Sequence, residues 1–163
     1  MKTTVELKRI HHDAVPKALE LAERYRLLNE PEQAESIARD VLEIEPKNQQ
    51  AVVTLVLALT DQFTTHHSNS LHEAEKFLTL LTSPYQRSYY HGVALERWAR
   101  AKRSEGLPSH AVDDWIERAM ACFEKAEPLR PAGNDDSILR WNTCARMLHR
   151  STEHREDEPL FGD

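Results

Sequence analysis

The side chains that most often bind metal ions are numerous in this chain, which contains nine histidines and two cysteines. Two histidine pairs stand out, His11-His12 and His66-His67, and His72 follows the second pair. Neither pair has the i, i+4 spacing that brings two histidines to one face of a helix, and no cysteine lies nearby to complete a zinc site. We therefore expect loop histidines without a metal ion.

The sequence contains no arrangement that predicts catalysis. It lacks GxGxxG, GxxxxGK(S/T), GxSxG and HExxH motifs. Asp113 and Glu117 are one helical turn apart, but they lie on the polar side of an apolar-periodic segment, where solvation explains them. Cys122 and Cys144 are too few and too far apart for a disulfide framework or a CxxC motif, and we expect them to be small core residues. The sequence predicts no enzyme and no cofactor, with an enzyme that uses an unrecognised pocket as the remote alternative.

Arginine is the remaining side chain type that clusters. One segment carries Arg87, Arg97, Arg100, Lys102 and Arg103. A later segment carries Arg140, Arg146 and Arg150. The candidates for a basic patch are Arg87, Arg100, Arg103 and Arg140. Such a patch could bind an acidic segment of a partner or the acidic end of this chain, and an ordinary solvated helix face is the alternative.

Composition and charge exclude several classes of partner. The 163 residues have a formal net charge of -6, which opposes general binding to nucleic acids. The first residues lack the apolar stretch of a signal peptide. The longest apolar run, from 51 to 59, is interrupted by Thr54 and is much shorter than the roughly 20 residues of a membrane span. We expect a cytoplasmic protein with neither a nucleic-acid nor a membrane partner.

Proline and polar residues divide the chain into seven segments with apolar residues at helical spacing. They cover about 14–28, 31–46, 48–65, 70–81, 84–104, 112–126 and 134–148. Ser70 and Glu73 have the spacing of a capping box, Ser83 precedes a proline, and Asn134 can cap the last helix. The valine-rich third segment could be a buried strand, but its length and position favour a central helix.

The predicted domain organisation is simple. Residues 1–13 form an N-terminal arm, residues 14–150 form one helical domain, and residues 151–163 form an acidic, disordered tail.

Two segments share a pattern of small residues, a larger apolar residue and a proline at fixed spacing. The full copy is Ala119, Phe123, Ala126 and Pro131, and the weaker copy is Ala34, Ala38, Val41 and Pro46. This pattern resembles the second helix of a tetratricopeptide repeat, where small residues let two helices approach closely. Residues that match first-helix positions are Ala18, Leu21, Ala22, Tyr25, Gly92 and Leu95. Segment 138–146 is also similar to bacterial tetratricopeptide proteins of unassigned role.

The resemblance covers roughly residues 14–148, and its middle copy, built on 48–81, is degenerate. About six extra residues lie between 63 and 70, and about fifteen between 95 and 119. The resemblance implies an all-α fold, a right-handed superhelix of about three helix hairpins with a C-terminal capping helix. An unrelated helical bundle is the alternative.

In tetratricopeptide proteins the first helices of successive repeats line a concave groove that binds a partner. The resemblance therefore implies a groove formed by Leu19, Glu23, Arg26, Val53, Leu57, Tyr89, Val93, Glu96, Arg97, Ile138 and Asn142. Paired hydrophobic and basic positions among them predict a protein or peptide partner with acidic and apolar character. Alternatively, several of them pack the hairpins together. The alternative function is that of a homodimeric or assembly-chaperone-type tetratricopeptide protein, in which a second copy covers apolar surface of the first or last helix.

Overall fold

The computed structural model describes residues 4–65 and 70–156, and in these ranges it is all-helical, with seven α-helices and no β-strand. The helices are α1 Val15–Leu27, α2 Pro31–Ile44, α3 Gln49–Asp61, α4 Leu71–Leu78, α5 Pro84–Ser104, α6 Ser109–Ala126 and α7 Asp136–Glu156. Short 3₁₀ turns occupy His12–Ala14 and Glu127–Leu129. The predicted all-α class of about seven helices is confirmed.

Side-chain hydrogen bonds cap the beginning of three of these helices, close to the predicted positions. The Ser83 hydroxyl accepts a hydrogen bond from the Gln86 amide at 3.2 Å, and the Ser70 hydroxyl accepts one from the Glu73 amide at 3.3 Å. Asn134, predicted as the cap of the last helix, lies before it and accepts a hydrogen bond from the Asp136 amide at 2.9 Å. Each bond satisfies an amide that has no partner inside its helix.

The helices pack in two interleaved sets. Each of α2, α4 and α6 packs against the odd-numbered helix before it and the one after it. In addition α1 packs on α3, α3 on α5 and α5 on α7, so the odd-numbered helices are in contact from one end of the chain to the other. Side chains on different odd-numbered helices can therefore share one surface.

The third helix is the centre of this arrangement. It has eight buried residues and contacts α1, α2, α4 and α5. The apolar segment predicted as a covered central helix is therefore helical, and the strand alternative is excluded. Ala22, Ala34 and Ala58 are all fully buried in one cluster where α1, α2 and α3 meet, because small side chains allow the three backbones to approach.

The two ends of the chain differ in structure. Residues 4–11 form no regular element. The tail predicted from residue 151 begins too early, since α7 continues to Glu156. The Arg155 guanidinium and the Ser151 hydroxyl both bind the Asp113 carboxylate on α6, which holds the last turns of α7 in place. The rest of the predicted tail, 157–163, lies outside the described residues.

Within the described residues, none of the helices has the length and apolar character needed to cross a membrane.

Candidate functional site

An aspartate at the end of α3 links three odd-numbered helices. Arg26 of α1 donates to Asp61 Oδ2 at 2.8 Å, and Arg97 of α5 donates to Asp61 Oδ1 at 2.5 Å. Arg97 also donates to the Thr60 hydroxyl at 2.8 Å. The two predicted groove arginines, Arg26 and Arg97, are thus brought together by an aspartate that the sequence analysis did not select.

A second carboxylate, Glu96, links α5 to α7. Its side chain is fully buried, and Arg140 donates to Oε2 at 3.1 Å while the Arg100 guanidinium lies 3.5 Å from Oε1. Oε1 accepts no hydrogen bond among the described residues. Since a buried carboxylate is costly without compensating charge, the two arginines are its counterions.

Burial and charge act in opposite directions on the arginines of this surface. Burial lowers the pKa of Arg97, with Asp61 opposing it and the charges of Arg26 and Arg140 adding to it. Burial also disfavours the charged form of Arg140, but Glu96 and Tyr89 outweigh it and raise the pKa. Both side chains remain cationic at neutral pH, because arginine has an ordinary pKa above about 12.

The two carboxylates do not neutralise the surface that they organise. Four guanidinium groups, those of Arg26, Arg97, Arg100 and Arg140, surround two carboxylates, which leaves an excess of two positive charges. The arginine side chains remain between 19% and 57% exposed, whereas Glu96 is fully buried. An approaching molecule therefore meets the guanidinium groups before the carboxylate of Glu96, which gives this part of an acidic protein a locally basic surface.

Three tyrosines at the beginning of α5 extend this surface. The rings of Tyr85 and Tyr89 are stacked with centroids 5.7 Å apart, and Tyr90 lies edge-on to Tyr89 at 5.1 Å. Burial raises the pKa of Tyr85 and Tyr90, so their hydroxyls are neutral donors. Tyr89 is among the groups that raise the pKa of Arg140, so the aromatic and basic parts are neighbours. The sequence analysis selected only Tyr89 of the three.

The groove residues predicted from the family resemblance divide into two groups. Leu19 and Val93 are 3% and 1% exposed and pack in the core. At these two positions the side chains pack the helices together and do not face a groove. Glu96 is also buried, but the Arg100 and Arg140 side chains that pair with it are partly exposed. The remaining predicted groove residues keep exposed surface. Glu23 is exposed, and the half-buried residues are Arg26, Val53, Leu57, Tyr89, Arg97, Ile138 and Asn142.

The four residues predicted as a basic patch do not form one. Arg100 and Arg140 share Glu96, as described above. Arg87 and Arg103 are both exposed, but they are separated by about 24 Å along α5, at 1.5 Å per residue. Arg87 lies beside Cys122 and Lys125, and Arg103 lies beside Arg155 at the other end of the helix. Residues of one long helix can therefore be too far apart to form a single patch, although they belong to the same segment of the sequence.

The histidines and cysteines take part in other contacts. His12 lies 3.3 Å from the Glu45 carboxylate and His91 lies 2.9 Å from that of Glu75. Residues 4–65 and 70–156 contain no group of three His, Cys, Asp or Glu side chains that could hold a metal ion. The His66-His67 pair lies outside the described residues. Both cysteines are free thiols, and Cys144 is buried.

Apolar side chains also remain exposed on the first and last helices. At the end of α1, Leu27 and Leu28 are 83% and 61% exposed, and Leu139 of α7 is 62% exposed. Single exposed leucines are common on protein surfaces and do not by themselves indicate an interface.

No protein-family model and no curated protein matches this sequence. Function must therefore be argued from the site, because a fold alone does not determine function.

Proposed function

We propose that this protein is a non-enzymatic, tetratricopeptide-like adaptor of the cytoplasm. In this proposal the odd-numbered helices of a right-handed superhelix, about three hairpins with α7 as the capping helix, line a groove that binds an acidic, partly apolar peptide or helix of a partner protein. The observation that carries the proposal is the arginine surface that crosses α1, α3, α5 and α7 around Asp61 and Glu96.

The packing order supports the repeat assignment. In a stack of helix hairpins, each first helix must contact the first helix of the next hairpin, as α1, α3, α5 and α7 do. The small residues of the proposed repeat, Ala34, Ala38, Ala119 and Ala126, are all fully buried. Their lack of exposure agrees with a role in close helix approach.

The side chains also support an acidic ligand. Each guanidinium has five donors, and Arg26 and Arg140 each use one of them in the hydrogen bonds given above. Carboxylates of a partner segment can bind the remaining donors, and a charged hydrogen bond of this kind contributes about 1.5–3 kcal/mol. The stacked Tyr85 and Tyr89 rings lie next to these donors and can contact an apolar side chain of the same segment.

A random peptide library displayed on phage tests this proposal. Selection on the wild-type protein should enrich segments that combine Asp or Glu with an aromatic or aliphatic residue. Their affinity, measured by fluorescence anisotropy, should fall as salt is added, because exposed charges are screened.

The matched variants are Arg97→Ala and Arg87→Ala, which remove the same charge from the same helix. Arg97→Ala should weaken binding about tenfold or more, since one charged hydrogen bond is lost, while Asp61 keeps Arg26 as its partner. Arg87→Ala should leave the affinity unchanged. Equal affinities of the two variants, or selected peptides without acidic residues, would contradict the groove proposal.

A further inference from the structure

The N-terminal arm runs along the edge of a cleft on the side of the molecule formed by α2 and α4. The cleft has a volume of about 650 Å³, which is in the range of ligand and peptide sites. Its apolar wall consists of the half-buried Leu42 and Phe77 above the fully buried Leu55, and its acidic residues are Asp40 and Glu43. We call this feature the arm cleft.

The arm exposes apolar side chains directly beside this apolar wall. Val5 and Leu7 are 84% and 88% exposed, although Leu7 lines the arm cleft. The arm of one chain therefore borders the cleft without filling it.

The backbone of the arm is also unpaired. Within the described part of the chain, residues 4–10 take part in no backbone hydrogen bond. A segment outside helices and strands whose amide and carbonyl groups are free can pair with a second such segment when both become extended, as exposed edge strands do. The arm can thus accept a neighbouring strand along its length.

The charges of the arm and of the cleft are opposite. Lys8 and Arg9 of the arm line the same cleft as Asp40 and Glu43, yet among the described residues neither basic side chain forms an ion pair. Arg39 also lines the cleft, but it is paired with Glu35 and Glu73. An arm with two apolar and two basic side chains therefore complements a cleft with an apolar wall and two further acidic side chains that form no ion pair among the described residues.

We propose that the arm cleft binds the arm of a second copy of this chain. The two arms lie antiparallel, and each places Val5 and Leu7 in the cleft of the other copy, with Lys8 and Arg9 beside Asp40 and Glu43. Such a contact is two-fold symmetric and closes after two copies. It is independent of the groove proposed above, because Arg26, Arg97 and Arg140 take no part in it.

A reciprocal charge reversal tests the contact. The arm variant carries Lys8→Glu and Arg9→Glu, and the cleft variant carries Asp40→Lys and Glu43→Lys. The wild-type protein should change from monomer to dimer mass with rising concentration in analytical ultracentrifugation. Each variant alone should dimerise at least tenfold more weakly, because like charges then meet at both contacts.

An equimolar mixture of the two variants distinguishes a contact between copies from one within a chain. In the mixed dimer each reversed arm meets a reversed cleft and each original arm meets an original cleft, so dimerisation should return to the wild-type level. A wild-type protein that stays monomeric at every concentration would overturn the proposal. A mixture that associates no better than the separate variants would overturn it as well.

A matched pair of apolar substitutions gives a second readout. Leu7→Asp should abolish dimerisation, and Leu27→Asp should not, although both leucines are more than 80% exposed. Leu27 is the last residue of α1, about 18 Å along that helix from its beginning next to the arm. Circular dichroism checks that both variants are folded. Equal loss of dimer in both would place the interface on α1 and contradict the arm contact.

Discussion

At the scale of single residues, Gly92 determines how closely α5 and α6 approach. A Cβ atom at this position would lie 2.6 Å from Phe123 Cε1, and Phe123 is fully buried and cannot move aside freely. Alanine would gain about 1 kcal/mol of helix propensity, but crowding in a packed core costs about 1–3 kcal/mol. We therefore expect Gly92→Ala to lower the free energy of unfolding by about 1 kcal/mol, measured by urea denaturation.

The contact with Phe123 makes this expectation specific. Phe123→Leu removes the ring that a new methyl group would meet, so the double variant should lose less stability than the sum of the two single variants. Ser88→Ala, one turn before Gly92 on the same helix, is the control and should change stability by less than about 1 kcal/mol. Additive effects of Gly92→Ala and Phe123→Leu would show that the contact does not limit the approach.

The two thiols should differ in reactivity for a physical reason visible in the structure. Burial raises the pKa of Cys144 from 9.0 to about 12, with Glu96 adding to the effect. Burial also raises the pKa of the half-buried Cys122, with Lys125 and Arg118 opposing it. Because only the thiolate reacts, a shift of three pKa units leaves roughly a thousandfold less of it at pH 8.

We expect iodoacetamide to modify Cys122 before Cys144 in the native protein and both equally in urea, as measured by mass spectrometry of peptides. The folded state favours the neutral thiol of Cys144, so its contribution to stability is present below pH 9 and is lost between pH 9 and about pH 12. Native Cys144 that reacts as fast as Cys122 would show that this side chain is accessible.

At the scale of elements, Asp113 fastens the last turns of α7 to α6. It binds both Arg155 and Ser151, but its Oδ1 atom is buried without a hydrogen-bond donor among the described residues. Asp113→Ala removes the attachment and also the cost of burying this carboxylate. The overall free energy of unfolding should therefore change by less than about 1 kcal/mol, while the end of α7 frays.

Hydrogen exchange measures this local effect. Asp113→Ala should accelerate exchange of the amides at 151–155 and leave the first half of α7 protected. Asp114→Ala, the exposed neighbour, is the matched control and should leave all of α7 unchanged. Equal exchange at 151–155 in the two variants would mean that the helix end is held by other interactions.

At the scale of the whole molecule, all extensive contacts between α-helices join helices one or two apart in the chain. Stability in such a stack is approximately a sum of local terms, so a defect at one end should stay there. Val41→Ala and Val112→Ala create similar cavities in fully buried positions near opposite ends, each costing roughly 2 kcal/mol.

We expect Val41→Ala to accelerate hydrogen exchange in α1, α2 and α3 by about tenfold or more while α6 and α7 are unchanged. Val112→Ala should produce the opposite distribution. If both variants accelerated exchange uniformly, the protein would unfold as a single cooperative unit and the stacked arrangement would not govern its stability.

The sequence by itself determined the all-helical class, the approximate bounds of the helices and the close packing of small residues such as Ala34 and Ala119. These features depend on spacing within a few residues and on caps such as Ser83, so they can be predicted locally. The family resemblance added Arg26 of α1 and Tyr89 and Arg97 of α5 as groove candidates.

Only the tertiary structure decided which of those faces are exposed and which meet one another. Leu19 and Val93 share the predicted face but are buried, while Asp61, Tyr85 and Tyr90 lie at the site without a sequence signal. The last turns of α7 depend on Asp113, 42 residues before Arg155. Helical spacing gives the angle of a side chain around its own axis, whereas its surroundings depend on how distant helices are placed against it.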